Sequence, residues 1–361
     1  MNKRKITQLL LLAFAAFAFA FVTSCEGPAG PAGPSGTNGT NGIDGTNGSD
    51  GTAGVDGDAV CMECHNTTTK AAVTMAYDTS GHAVSHLMYT GQTVFEYAGG
   101  RVDCGMCHSD QGFIETQYTG LDTLEHELGL PQAIQCSTCH SFHNSLDFTN
   151  EPNSALRTYD AVELVMYRAD DPTAAAVMVD FNDASNICAN CHQPRIVGPV
   201  DDGTGNSSAI TSSHWGPHHG PQATTLAGLG AYEVGTGYPD AGTGGKHVTD
   251  ATCITCHMYN KEHNWEANLE SCNTAACHNG SITTVSDNTR QTTFVTNMAT
   301  LAAKLTTAGL LVDGHPNPGT YPVDEVGALY NYEWLLDDRS NGLHNFGYTE
   351  TMLTNSIAVF Q

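Results

Sequence analysis

Apolar and polar positions alternate in very different ways along this chain. Residues Leu9 to Val22 form an unbroken apolar run behind a basic start containing Lys3, Arg4 and Lys5, the layout of an export signal rather than of a domain, so residues 1–24 are read as a signal peptide. Residues 59–280 show no sustained period of either kind. Short apolar pieces are separated by polar, glycine-rich runs such as "DDGTGNSS" and "GTGYPDAGTGG", which predicts loops and short helices. The tail, residues 281–361, is different. Phe294, Met298, Leu301 and Leu305 recur at helical spacing before a stop at Gly309, and "DEVGALYNYEWLLDD" predicts a helix capped by Asp324 with Val326, Leu329, Tyr330 and Leu336 near one face. A third helix is predicted from Thr349 to Val359. These apolar faces need a partner, so the tail is expected to pack on the region before it as a lid.

Between signal and irregular region lies a strict period of another kind, with glycine at every third position from Gly27 to Gly57. This is the collagen pattern, in which only glycine fits at a crowded axis. Proline occupies only the first three triplets, so a flexible, extended stalk competes with a trimerising rod. As a coil the segment reaches roughly 30 Å and as extended polyproline about 95 Å. The residues before it, "VTSC", resemble the lipobox of bacterial lipoproteins, which makes Cys25 the lipidated first residue of the mature chain. Residues 25–58 are thus expected to form a lipidated cysteine plus stalk, holding the rest of the chain away from a membrane.

Charge narrows the partners. The 361-residue chain carries a formal charge of −25, and because the signal contains three bases and no acid, the mature chain stands at −28. Clustered Lys and Arg are missing, which argues against nucleic acid and against electrostatic docking on anionic lipid. The membrane would be met through the lipid anchor alone.

The chemistry lies in the cysteines. Ten of the thirteen fall into five copies of Cys-x-x-Cys-His: Cys61, Cys64 and His65; Cys104, Cys107 and His108; Cys136, Cys139 and His140; Cys188, Cys191 and His192; Cys253, Cys256 and His257. This is the attachment motif of haem c. Two thiols bond the vinyl groups on one porphyrin edge, and the adjacent histidine turns under the ring to ligate iron. Zinc sites also use Cys-x-x-Cys pairs, but neither zinc nor a disulfide demands a histidine directly after every second cysteine. With Cys25 set aside, Cys272 and Cys277 remain, in "CNTAACH". The longer loop keeps both thiols and His278, and resembles a spacing used by some small tetrahaem cytochromes; it is read as a sixth haem site, against a local disulfide. Six haem c groups in residues 59–280 would supply the interior that the pattern lacks.

Six proximal histidines leave eleven others, and six irons need partners. An iron with two histidines can only pass electrons, whereas an open position can bind substrate. Tethering to a neighbouring motif favours His143, His247 and His263 as distal ligands; His82, between the first two motifs, His219 of "SHWGPHHGPQ" and His344, just before the last helix, complete the set. His86, His126, His214, His218 and His315 are held in reserve, and the choice among His214, His218 and His219 stays open. Met75 and Met88 could serve, but the supply of histidine makes them unnecessary.

The motif series, the "HHGPQ" and "CHM" elements and the tail "YNYEWLLDDRSNGLHN" resemble exported multihaem c-type cytochromes, including surface lipoproteins of the extracellular electron-transfer type. The resemblance implies a multihaem cytochrome c fold, mostly irregular loops and short helices wrapped around a haem chain, with C-terminal helices and an N-terminal collagen-like stalk. It implies closely spaced bis-His haems that carry electrons, an outer-membrane or extracellular location in preference to a periplasm-facing one, and redox partner cytochromes or extracellular electron acceptors. Some members form filaments, which leaves a homo-oligomer or filament open. The tail is also similar to that of multihaem nitrite and hydroxylamine-type enzymes, so the alternative is a reductase of a small nitrogen or sulfur oxyanion with one open haem, served by arginines such as Arg101, Arg157, Arg168, Arg195 or Arg339. A carrier without catalytic residues is the expectation favoured here, because no Cys-x-x-Cys-Lys motif occurs and so acidic a chain repels anionic substrates.

Overall fold

The computed structural model describes residues 61–62, 65–85, 88–143, 145, 147, 150–151, 153, 155–167, 175–200, 206–285 and 289–361. The signal, Cys25, the Gly-x-y stalk, Cys64, His86 and Arg168 lie outside these residues. Among the described residues thirteen α-helices are joined by long loops, and the strands pair only two at a time. No described helix is long and apolar enough to cross a membrane.

The first stretch is built from local devices. Helix α1 (Thr67–Asp78) opens on Asn66, whose side chain accepts from the Thr69 backbone, and it buries no residue. A hairpin of β1 (Met88–Tyr89) and β2 (Gln92–Thr93) leads into α2 (Val94–Ala98), where Thr93 and Glu96 form a reciprocal capping box. Next come α3 (Gly105–His108) and α4 (Asp110–Thr119), whose close approach depends on glycine: a Cβ on Gly112 would stand 2.3 Å from the Gly105 carbonyl oxygen. A small cluster of Phe95, Ala98, Phe113, Leu124 and Ile134 is buried here. Helix α5 (Cys136–Cys139) follows.

The second stretch holds the main core. It contains β3 (Val162–Glu163) paired with β4 (Met178–Val179), α6 (Asn186–Ala189), β5 (Ser207–Ile210), α7 (Gln222–Ala227), α8 (Lys246–Asp250), α9 (Cys253–His257) and α10 (Leu269–Cys272). After it come α11 (Thr289–Thr307), the hairpin β6 (Leu311–Val312) and β7 (His315–Pro316), β8 (Gly319–Pro322) antiparallel to β5, α12 (Val323–Asp338) and α13 (Phe346–Ala358). Leu301 and Leu305 of α11, Leu329, Tyr330 and Trp334 of α12, and Met352 and Leu353 of α13 cluster with Leu164, Val179 and Ile210 of the earlier segment.

The tail is therefore not a lid over an interior made elsewhere; it is the larger part of an apolar core. The buried Trp334 and Asn331 side chains of the tail are hydrogen-bonded. Trp334 Nε1 donates to Thr225 Oγ1 at 2.8 Å, and the Asn331 amide donates to the Tyr232 carbonyl and Ser356 Oγ while accepting from the Tyr232 N–H. Two boundaries differ from expectation. Asp324 sits in the first turn of α12, after Pro322, where its charge favours the helix dipole, rather than at the cap. Helix α13 starts earlier than Thr349, because Asn345 caps it by accepting from the Tyr348 N–H at 3.0 Å.

Candidate metal centres

Each described motif makes the same local turn. The backbone N–H of His108 donates to the Cys104 carbonyl at 3.1 Å, that of His140 to Cys136 at 2.8 Å and that of His192 to Cys188 at 2.9 Å. Helix α9 encloses Cys253 and His257 in one such turn. In "CNTAACH" the bond is kept although the loop is two residues longer: His278 N–H donates to the Cys272 carbonyl at 3.0 Å, while Cys277 N–H and Asn279 N–H are taken up by Thr274. Cys272 and Cys277 are free thiols and no disulfide joins them, as for the other described motif cysteines. Among the described residues no three His, Cys, Asp or Glu side chains converge as a zinc site requires.

The histidines come together in pairs. Ring centroids stand 5.9 Å apart for His65 and His143, 6.1 Å for His192 and His82, 6.2 Å for His140 and His263, 6.4 Å for His257 and His344, and 6.1 Å for His278 and His247. An iron held from both faces by imidazole nitrogens at about 2.0 Å separates the ring centres by about 6.3 Å. Five motif histidines thus each face one further imidazole at the spacing that iron needs. The sixth, His108, lies close enough to His218 and His219 to be depressed by both, with His218 the stronger. His126 is exposed, and His214 is drawn to His315 rather than to a motif. His82 lies beside His192 of the fourth motif, although in sequence it stands between the first two. Met75 and Met88 point into solvent.

Which ring nitrogen is free is also fixed. His257 Nδ1 bonds the Trp265 carbonyl at 2.8 Å, His263 Nδ1 the Lys261 carbonyl at 2.8 Å, His247 Nδ1 the Leu343 carbonyl at 2.9 Å and His192 Nδ1 the Gln222 side chain at 3.2 Å. His344 Nδ1 meets Asp338 Oδ1 at 2.7 Å and His219 Nδ1 meets Asp337 Oδ2 at 3.1 Å. Every one of these leaves Nε2 to a metal, the usual division of labour in a ligating histidine.

Burial lowers the imidazoles of His82, His108, His140, His192, His218 and His257 and so favours the neutral form that ligation demands. Burial first, and then the neighbouring His192, push His82 down to about 4; burial, then His218, do the same to His108. His218 also falls to about 4, through burial and then Arg195. His344 goes the other way, because the charge and hydrogen bond of Asp338 outweigh its burial.

The motifs also touch one another. Cys107 Sγ donates to the Asn190 carbonyl at 3.7 Å and Cys191 Sγ to the Met106 carbonyl at 3.8 Å, and the Ile254 N–H donates to Ser185 Oγ at 3.1 Å, which sets the second motif beside the fourth and the fourth beside the fifth. Cys256 feels Cys272 and Cys277, so the fifth and sixth are also neighbours. Trp265 ties three sites together: its ring lies 4.6 Å from that of His82 and 5.6 Å from that of His263, and its carbonyl holds His257. Trp265, Asp337 and Asp338 are not apparent as site residues in the sequence. A signal did exist, since two acids ending a helix oppose its dipole and call for another reason to be there. Four described arginines are engaged: Arg157 donates to the Ser137 and Thr138 carbonyls, Arg195 lies 3.9 Å from Cys104 Sγ, Arg101 stacks on Tyr97, and Arg290, unremarkable in the sequence, pairs with Glu350.

Two solved structures are similar to the chain. One is the outer cell wall cytochrome OcwA, at TM-score 0.45 and 19% identity over 79% of this chain and 50% of that one. The other is an undecahaem cytochrome from the S-layer of Carboxydothermus ferrireducens, at TM-score 0.42 and 18% identity over 82% of this chain and 44% of that one. The chain spans about half the length of either. No family model and no curated protein matches it.

Proposed function

We propose that this chain is an electron-transfer cytochrome holding six haem c groups, each bonded through its motif cysteines and ligated by two histidines. The observation that carries this reading is the set of five motif histidines, each facing a second imidazole at 5.9–6.4 Å. Cys61 and Cys64, Cys104 and Cys107, Cys136 and Cys139, Cys188 and Cys191, Cys253 and Cys256, and Cys272 and Cys277 would hold the rings. The proximal and distal pairs would be His65 with His143, His140 with His263, His192 with His82, His257 with His344, His278 with His247, and His108 with His219 or His218. Haem iron supplies one-electron exchange, and two imidazoles leave it no position for a substrate. The protein's part is to fix the rings, exclude water from the buried ones and tune each through the group on Nδ1.

The path is branched rather than linear. His143 follows His140 by three residues, so the first site adjoins the third, and Trp265 gathers the third, fourth and fifth. From that junction the thiol contacts lead to the second site through Cys191 and Cys107, and to the sixth through Cys256 and Cys272. The first, second and sixth sites are then the ends at which donor and acceptor meet the chain. With Cys25 lipidated and the Gly-x-y stalk extended, these ends would stand off an outer membrane, where redox cytochromes or extracellular acceptors reach them.

Low-temperature electron paramagnetic resonance of the oxidised, haem-loaded protein tests the reading. All six ferric haems are expected to be low-spin and indifferent to added nitrite or hydroxylamine. A high-spin haem that shifts on addition would establish an open iron and replace the carrier with a reductase.

A further inference from the structure

One histidine pair belongs to none of the six sites. The rings of His214, in the loop after β5, and His315, on β7, are 6.4 Å apart, the same spacing as the motif pairs. Neither follows a cysteine in sequence. His214 Nδ1 meets Ser213 Oγ at 3.3 Å, which again leaves Nε2 free. Two imidazoles sharing a metal at a tetrahedral angle bring their ring centres to about 5.1 Å; a separation near 6.3 Å belongs to ligands on opposite faces of one metal.

The surroundings suit a flat apolar ligand with acidic arms. Val312 is the cross-strand partner of His315 and is 51% exposed. The Tyr89 ring stands 6.2 Å from His214 and is itself packed on Tyr97 at 4.3 Å. The Arg101 guanidinium lies 3.9 Å above the Tyr97 ring, which places a fixed cation beside this aromatic surface.

We propose that His214 and His315 form an axial clamp for one iron protoporphyrin held without thioether bonds, with Tyr89 and Val312 against its edge and Arg101 available to a propionate. A haem carried by a second copy of the chain does not fit, since each would already have both axial positions filled by its own chain; in that clause the inference rests on the six-site reading. The clamp sits next to the second motif, because Arg101 precedes Cys104 by three residues and its carbonyl accepts from the Cys104 N–H at 3.1 Å. An iron bound there would extend the path at one of its ends to the protein surface.

The test is to titrate the purified, haem-loaded protein with haemin, remove the excess by gel filtration, and count extractable against covalent haem with pyridine haemochromogen spectra. One extractable, low-spin haem per chain is expected, with affinity falling more than tenfold in His214→Ala and in His315→Ala and unchanged in His126→Ala. No stoichiometric uptake, uptake unchanged in both clamp variants, or uptake of cuprous or silver ion without haem would overturn the clamp. The covalent count is read from the same sample: a number other than six defeats the six-site reading, whatever haemin does.

Discussion

Residues 61–143 and residues 289–361 solve the folding problem in opposite ways. In the tail, three helices bury Leu301, Leu305, Leu329, Tyr330, Trp334, Met352 and Leu353 almost completely, and Asn345 caps the last of them. In the earlier segment α1 buries nothing, Met75 is 72% exposed, Phe142 is 95% exposed, and only a small apolar cluster of Phe95, Ala98, Phe113, Leu124 and Ile134 is buried. The tail has what a chain needs to fold from its own apolar surface. The motif region has little of it, and under the proposed function it would be a mould whose filling is haem.

The largest expected effect comes from leaving that mould unfilled. If the chain is produced without haem attachment, amide hydrogen exchange should show residues 289–307, 323–338 and 346–358 still protected while residues 61–143 exchange freely. Equal protection in both, or loss in both, would erase the distinction. The converse perturbation is Trp334→Ala, which removes a fully buried ring and its bond to Thr225 and should cost about 3–5 kcal/mol. Denaturant unfolding of the haem-loaded protein reads this, and a loss below about 1 kcal/mol would show that haem, not the tail, carries stability throughout.

A smaller effect lies where α12 meets the loop carrying Gly216. Glu333 Oε1 is buried without a hydrogen-bond partner, and burial, then the charge of Asp337, raise its carboxyl from 4.5 to about 7. An acid whose folded pKa is raised favours the native state while protonated. Its contribution is complete below about 4.5 and is lost as pH climbs to about 7, by at most about 3 kcal/mol. Glu333→Gln should therefore match the wild type at low pH and exceed it in stability above neutrality. Parallel curves across that window would mean that the carboxyl finds a partner in solution.

Part of this arrangement was legible in the sequence. The five repeated motifs stand out at once, and a short tether keeps His143, His247 and His263 near a motif, where each faces a motif imidazole. The tail helices followed from their period. The partner of each ligand did not. His82 reaches His192 across more than a hundred residues, a pairing set by how loops cross, which no local pattern encodes. Nor did the sequence show that the tail core would draw in Leu164, Val179 and Ile210, since short apolar pieces between polar runs look alike whether they are buried or not. Trp265 was invisible for the same reason: its role comes from three contacts made by segments distant in the chain.

The finest distinction concerns the last two residues of α12. Asp338 is buried and holds His344; Asp337 holds His219 on an exposed ring. A carboxylate on Nδ1 makes an imidazole a stronger donor and favours the oxidised metal. Asp338→Asn should therefore raise the midpoint potential of one haem, and a tenfold change in the preference between oxidation states corresponds to about 59 mV. Asp337→Asn should move a different haem in the same direction by less, because water screens an exposed pair. A redox titration followed by paramagnetic resonance separates the two. A shift from Asp338→Asn with none from Asp337→Asn would assign the second site to His218, whose ring is the more buried of the two and acts more strongly on His108, and would leave His219 as its neighbour rather than a ligand.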